Sequence, residues 1–326
     1  MAIDGRLPHH TQKGRHSLYA SRRKNSILKD FIRNFELTFL ALPAIVFIFV
    51  FAYIPLYGLI LPFKNYNFEQ GFFGSPWAGL QNFKYLFTSD TLVRVTTNTV
   101  VMNALFILFG TLFSLLFALL IFEVGKRHVK VYQTAMFFPY FISWVVAAYV
   151  VLAFLDMENG FINRMLIHFG KDPIMWYSNP HYWPFILVIV SVWKSAGYGA
   201  VIYYTGLLGT DTEYYEAAMI DGATRLQRAW HISLPLLKPL ITIMTILAVG
   251  KIFYGDFGLF YNVTLDSTQL YPATDVIDTF VYRTLKSMGD IGMSSAAGLY
   301  QAVVGFALVL LSNWVVKKAN PENSLF

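Results

Sequence analysis

The sequence predicts an all-α, polytopic membrane protein with six transmembrane helices, and three observations carry that reading. The chain of 326 residues is 56% hydrophobic and only 13% charged, whereas a soluble domain has about a quarter charged residues. Six stretches approach the about 20 apolar residues that a bilayer core demands. Lysine and arginine gather in alternate connections between them. Mean hydropathy is +0.49. There is no cysteine, which removes disulfide frameworks, thiolate metal sites and cysteine nucleophiles from consideration.

The six predicted spans are Leu37–Leu61, Asn98–Phe122, Tyr132–Leu155, Trp183–Leu208, Pro239–Tyr261 and Ser295–Val316. Backbone groups cannot remain unpaired in lipid, so each should be a helix. The second and sixth are the cleanest, while Lys251 and Asp256 interrupt the fifth. Pro43, Pro55 and Pro139 fall inside spans and read as local kinks of the kind membrane helices tolerate. The first apolar run is too long for the core of a cleavable leader.

Charge sets the orientation. Eight basic residues from Arg6 to Arg33 precede the first span. Lys126, Arg127 and Lys130 follow the second, Arg225, Arg228 and Lys238 follow the fourth, and Lys317 and Lys318 follow the sixth. The bias of basic loops toward the cytoplasm places both termini there. The same bias favours a membrane flank over a nucleic-acid arm for the basic tail, so no nucleic-acid partner is expected. Ile27, Leu28, Phe31, Ile32 and Phe35 recur at helical spacing between the basic residues, a pattern that suits a helix lying on the cytoplasmic face; a disordered tail is the other reading. The expected organisation is a basic tail over residues 1–36, a transmembrane domain over 37–318 with a cytoplasmic loop at 210–238, and a short tail over 319–326.

That loop carries the most specific signal. Glu216-Ala217-Ala218 is followed after three residues by Gly222, after nine more by Ile232, and then by Leu234-Pro235. Thr212–Ile220 reads as a short helix with Asp211 or Thr212 at its N-cap, and Gly222 permits the backbone break after it. A second short helix follows through Arg225–His231, after which Pro235 redirects the chain into the fifth span. Glu-Ala-Ala alone is an ordinary helical tripeptide. Seven specified residues at fixed spacing arise by chance on the order of once in 10^6 such chains.

With this motif the chain resembles the permease subunits of binding-protein-dependent ABC importers, whose signature EAA-x3-G-x9-I-x-LP it matches at every position. Further stretches are similar to the LplB-like polysaccharide branch of that family, which includes an alginate importer subunit. They are Gly74–Trp77 with Gly79–Phe83, Phe138–Trp144, Trp193–Tyr198, Asp275–Thr279 and Ala297–Tyr300. The resemblance implies the type I importer permease fold in a bacterial inner (plasma) membrane. It implies half of a pathway for an oligo- or polysaccharide, with uronate-rich chains such as alginate among the candidates. The expected partners are a second homologous permease, two ATPase subunits and an extracytoplasmic solute-binding protein. Glu216, Ala217, Ala218, Gly222, Ile232, Leu234 and Pro235 would couple to the ATPase, which binds the ATP and magnesium.

No G-x-x-x-x-G-K-[ST] phosphate loop occurs, since Gly170-Lys171 precedes Asp172 and lacks the upstream glycine. ATP hydrolysis therefore falls to another chain. No catalytic constellation and no metal-ligand spacing is predicted, and this chain should hold no cofactor of its own.

Charges inside spans are functional candidates. Lys194 and Lys251 lie about 16 and 18 Å along their predicted helices. Tyr198 and Tyr254 follow at four and three residues, so each pair would share a helix face. A cation beside a phenol suits a sugar acid. The other reading is a structural pairing of a lysine with Asp256. An ATP-independent secondary transporter or channel is the alternative function, but Asp256 is its only good coupling carboxylate and the cytoplasmic motif would go unexplained. A membrane-embedded enzyme would need an acidic metal or nucleotide site that the sequence does not display.

Overall fold

A computed structural model describes residues 34–124 and 126–319. The basic segment up to Arg33, with most of its expected interfacial helix, lies outside the described residues, as does everything after Ala319. The chain divides into two compact units at Leu59/Ile60. Helix α1 (Phe35–Phe63) fills the described part of the first unit and runs into the start of the second. Pro43 does not end it. It widens to a π turn over Phe49–Tyr53 and tightens to 3-10 geometry over Ile54–Phe63.

In the second unit, α2 (Gln81–Thr88) leads into the long α3 (Asp90–Phe122). Then come α4 (Lys126–Phe137), α5 (Trp144–Leu155), α6 (Phe161–His168), α7 (Trp183–Leu208) and α8 (Glu213–Ile220). The chain closes with α9 (Arg225–Val249), α10 (Ile277–Lys286) and α11 (Ile291–Ala319). Among the described residues there is no strand, only an isolated antiparallel bridge between Lys64 and Trp77.

Among the described residues five helices are long and apolar enough to cross a membrane: α1, α3, α9, α11 and a stretch from Pro180 through α7. The predicted third span differs from expectation. Residues 127–141 and 144–155 meet at 98°, so Pro139 sits in a break and not in a local kink. The fifth also differs, because its helix starts at Arg225 and stops at Val249, short of Tyr261.

Helix α3 is the spine of the second unit. Near its start Leu92 and Val95 join Leu86, Ile277, Phe280, Ala296 and Ala297. Farther along, Met102 packs with Ala148, Val151, Leu187, Val190 and Phe260. Near its end Ala118 meets Ala200, Tyr203, Leu207 and Leu237. Lipid supplies no hydrophobic drive for helix association, so close packing and hydrogen bonds must hold such a bundle. The small residues Ala196, Gly197, Gly199 and Ala200 bring α7 against its neighbours, and Ser114 Oγ of α3 donates to the Ala196 carbonyl at 3.2 Å.

A charge cluster fixes α10 to the start of α3. The buried Asp275 accepts from Arg283 at 2.6 Å and Arg94 at 3.4 Å, and Thr279 Oγ1 donates to it at 3.1 Å. Asn98 of α3 donates to the Asp275 carbonyl at 3.0 Å. The Arg283 guanidinium stacks 3.9 Å from the centre of the Tyr271 ring. Burial pushes the Tyr271 phenol up to about 12 against the pull of Arg283, so it stays a donor to Asp266.

Candidate functional site

The loop between α7 and α9 is built from local rules. Thr212 holds the N-cap position of α8 without a side-chain bond, and Asp211 Oδ1 instead accepts from the Glu213 amide at 3.0 Å. At the other end Gly222 has φ +77°. There the Ala223 amide reaches the Ala218 carbonyl at 2.9 Å, and the Gly222 amide reaches Met219 at 3.1 Å. This paired closure needs a left-handed residue, which a glycine supplies without strain. Thr224 and Gln227 form a reciprocal capping box at the start of α9. Contrary to expectation, Pro235 does not redirect the chain. A π turn over Ala229–Ser233 precedes it, and the helix continues from Arg225 to Val249.

The loop is anchored to the end of α3. Glu123 pairs with Arg228 at 3.2 Å and Arg225 at 3.5 Å. Tyr215 packs its ring 5.2 Å from that of Phe122 and shares a hydrogen bond of 3.1 Å with Ser233. Glu216, Ala217 and Pro235 are exposed, while Ala218, Ile232 and Leu234 are half-buried. Ala218, Gly222, Ala223, Gln227, Arg228 and Ile232 help to line a cavity of about 360 Å³. Around it Ile220 is 87% exposed, with Leu226, Trp230 and Tyr214 also open.

The intramembrane candidates lie at two interrupted helices. The first interruption runs from Phe138 to Ser143, between α4 and α5. Such a break leaves carbonyls without helical partners, which lipid cannot satisfy. Lys194 of α7 supplies the donors: its ammonium bonds the carbonyls of Pro139 (3.4 Å), Tyr140 (2.8 Å) and Ile142. Tyr198 stacks on Tyr140 at 4.7 Å and 12°, so this pair does share a face. Lys194 also lies 5.1 Å from the centre of the Trp144 ring. Trp144 in turn donates from Nε1 to Asp256 Oδ2 at 3.0 Å. Among the described residues no ion pair within 4 Å joins Lys194 to Asp256 directly.

The second interruption follows Val249. Lys251 and Tyr254 sit in turns there and not on a helix, so the face-sharing expected of them does not apply. Asn103 of α3 donates to the carbonyls of Ile252 (2.9 Å) and Tyr254 (3.1 Å). Gln301 of α11 donates to the Phe253 carbonyl at 2.9 Å. Asp256 Oδ1 accepts from the Leu259 amide at 3.2 Å where the helix resumes. A Cβ on Gly258 would lie 2.1 Å from Trp144 Cδ1, so only glycine lets the indole approach. Lys251 and Tyr254 are exposed, and Lys251 has no ion-pair partner within 4 Å among the described residues.

Sequence reasoning missed Asn103, Asp278, Gln301 and the anchoring role of Glu123. The signal available for two of them was a lone amide within an apolar run, at Asn103 and Gln301, since polar groups inside spans are rarely idle.

Residues 100–321, which include the loop and both interruptions, match the family described as binding-protein-dependent transport system inner membrane component. The chain belongs to that family. This permease is 32% identical to the protein LplB of Bacillus subtilis (strain 168) over 291 residues, covering 89% of this chain and 91% of that one. It is also 32% identical over 306 residues to the polygalacturonan/rhamnogalacturonan transport system permease protein YteP of the same organism, covering 94% and 95%. A solved bacterial ABC transporter involved in the import of the acidic polysaccharide alginate superposes with TM-score 0.81 at 32% identity, covering 90% of the permease and 99% of that chain. The alginate transporter in complex with its alginate pentasaccharide-bound periplasmic protein gives TM-score 0.80 at 31% identity, covering 90% and 98%. The all-α fold expected from the sequence is therefore the type I importer permease fold, and the permease is a transport subunit of an ABC importer.

Proposed function

We propose that this permease forms half of the membrane pathway for an acidic, uronate-rich oligo- or polysaccharide. The observation that carries the reading is its likeness along nine-tenths of its length to a chain of the alginate importer, joined by a relative named for polygalacturonan and rhamnogalacturonan transport. An unpaired, exposed Lys251 beside Tyr254 supports it chemically, because a carboxylated sugar can meet the ammonium while its ring stacks on the phenol. A second permease completes the pathway, and an extracytoplasmic binding protein delivers the sugar. Two ATPase subunits bind the ATP and magnesium, and one of them docks on the exposed surface around Glu216, Gly222 and Ile220. Both termini lie in the cytoplasm, flanking a transmembrane domain over 37–318 as a basic tail over 1–36 and a short tail over 319–326.

The test is purification of the native complex, a count of its subunits, and reconstitution in vesicles with its binding protein. ATP-dependent uptake of oligouronates in preference to neutral oligosaccharides is the expected result. Uptake that persists in a complex lacking any ATPase would overturn the importer reading in favour of an ATP-independent carrier.

A further inference from the structure

Asp278 lies one residue into α10, yet its carboxylate serves a different segment. Its Oδ2 accepts from the Gly255 amide at 2.6 Å and from Gln301 Nε2 at 2.9 Å. The same Gln301 nitrogen holds the Phe253 carbonyl, and Asn103 holds the carbonyls on either side. Side chains from α3, α10 and α11 thus satisfy four consecutive residues of backbone, Ile252 to Gly255, that no helix satisfies. The fit at Gly255 is close: a Cβ there would stand 3.0 Å from both Asp278 Oδ2 and Val276 Cγ2.

Resting on the sugar-pathway reading, we propose that Asp278 is a positioning residue: from α10 it fixes the interrupted segment that presents Lys251 and Tyr254 to the substrate. Of the three side chains, only Asp278 comes from outside the spans. It sits three residues from Asp275, whose carboxylate and carbonyl are held by Arg94 and Asn98 of α3 while Arg283 of α10 pairs with the same carboxylate. Helix α10 is therefore a rigid reference, and the Asp278–Gly255 bond transfers its position to the segment. A carboxylate buried for packing alone would cost free energy without return. Here its two bonds to other residues go to the interrupted segment and to the amide that also holds it.

The sequence has no cysteine, so Lys251→Cys is the one thiol of this chain, and its labelling is read on this chain after the subunits are separated. Its labelling by a polar maleimide is measured in the full reconstituted complex, without sugar, alone and combined with Asp278→Ala, Asp278→Asn or Gln301→Met. The amide oxygen of Asp278→Asn can accept both bonds. Asp278→Ala and Gln301→Met should change the labelling rate by about tenfold, the shift for losing one charge-assisted hydrogen bond, while Asp278→Asn should not. In the complex without the cysteine, Asp278→Ala should lower maximal sugar uptake with half-saturation unchanged, and Asp278→Asn should restore it. Equal labelling in all variants overturns the proposal, as does Asp278→Asn behaving like Asp278→Ala. If Asp278→Ala fails to assemble, the contrast between Gln301→Met and Asp278→Asn decides in the same way. A parent complex that takes up no acidic sugar while keeping the labelling contrast would sink the sugar reading and leave the positioning intact.

Discussion

The indole of Trp144 joins Asp256 to Lys194. Its N–H meets the carboxylate at 3.0 Å, and its face lies 5.1 Å from the ammonium. An aromatic ring is positive at its edge and negative on its face, so each charge meets the complementary part of one side chain. The two interrupted helices are tied together at this point. Trp144→Phe keeps the face and removes the N–H. It should lower the melting midpoint of the complex by the equivalent of about 1–3 kcal/mol, the cost of a charged group losing a bond. Asp256→Asn keeps an acceptor and should cost less in the same melting assay.

The two candidate lysines should separate cleanly. Lys194→Met leaves the Tyr140 and Ile142 carbonyls at the first interruption without their donor, while the Pro139 carbonyl keeps the Ile142 amide, at about 1–3 kcal/mol for each group that water cannot reach. Loss of assembled complex is the expected outcome, scored by yield after purification. Lys251→Gln should leave yield unchanged and reduce uptake of an acidic oligosaccharide more than of a neutral one. Equal loss for both sugars would mean that Lys251 does not read charge.

In the coupling loop, Gly222→Val must force a β-branched residue to φ +77°, where a left-handed backbone costs about 1–2 kcal/mol. Insertion should be normal and sugar-stimulated ATPase activity lost. Gly222→Asn, which tolerates that conformation, should retain most of the activity. Glu216→Lys should also abolish stimulation. Unchanged stimulation in both Gly222→Val and Glu216→Lys would exclude this loop as the coupling element.

Two aspartates three residues apart should respond in opposite ways. Asp275→Asn removes the 2.6 Å ion pair of the nearly buried Arg283 and leaves it only Asp266 at 3.4 Å; breaking a comparable buried pair costs about 3–5 kcal/mol, so the yield of complex should fall. At Asp278, burial raises the carboxyl pKa, against bonds from Gly255 and Gln301, and Asp256 raises it further. Because the folded value exceeds the unfolded one, this group favours the folded state at low pH. Its contribution falls as pH rises from 3.8 through the raised folded value. Asp278→Asn should therefore melt no lower than the parent near neutrality and show a flatter pH dependence on the acid side. A steeper dependence would contradict the sign.

Much of this was legible in the sequence. Helix α7 occupies the predicted Trp183–Leu208, and α3 and α11 contain the predicted second and sixth spans, because uninterrupted apolar runs have few other solutions in lipid. The motif gave the loop, its short helix and the role of Gly222. The 98° break was not legible. Hydropathy records composition, and Phe138–Ile142 is as apolar as a helix would be. What stabilises the turn there is Lys194, more than fifty residues away. The early end of the fifth helix was hidden for the same reason, since Asn103, Asp278 and Gln301 converge on it from distant stretches. The two candidate lysines were therefore found as residue types, but their different surroundings depend on neighbours that only folding brings together.

Helix α3 touches both ends of this machinery. Glu123 holds the loop between α7 and α9, and Asn103, twenty residues earlier, holds the interrupted segment. At a rise of about 1.5 Å per residue these points are about 30 Å apart on one rod. A tilt of about 5° pivoting at Glu123 would swing Asn103 through about 2.6 Å over that length. The Asn103–Ile252 bond is 2.9 Å long, so such a swing is enough to break it. A nudge at one face of the membrane would thus reach the other as leverage, with no chain of side-chain rearrangements between.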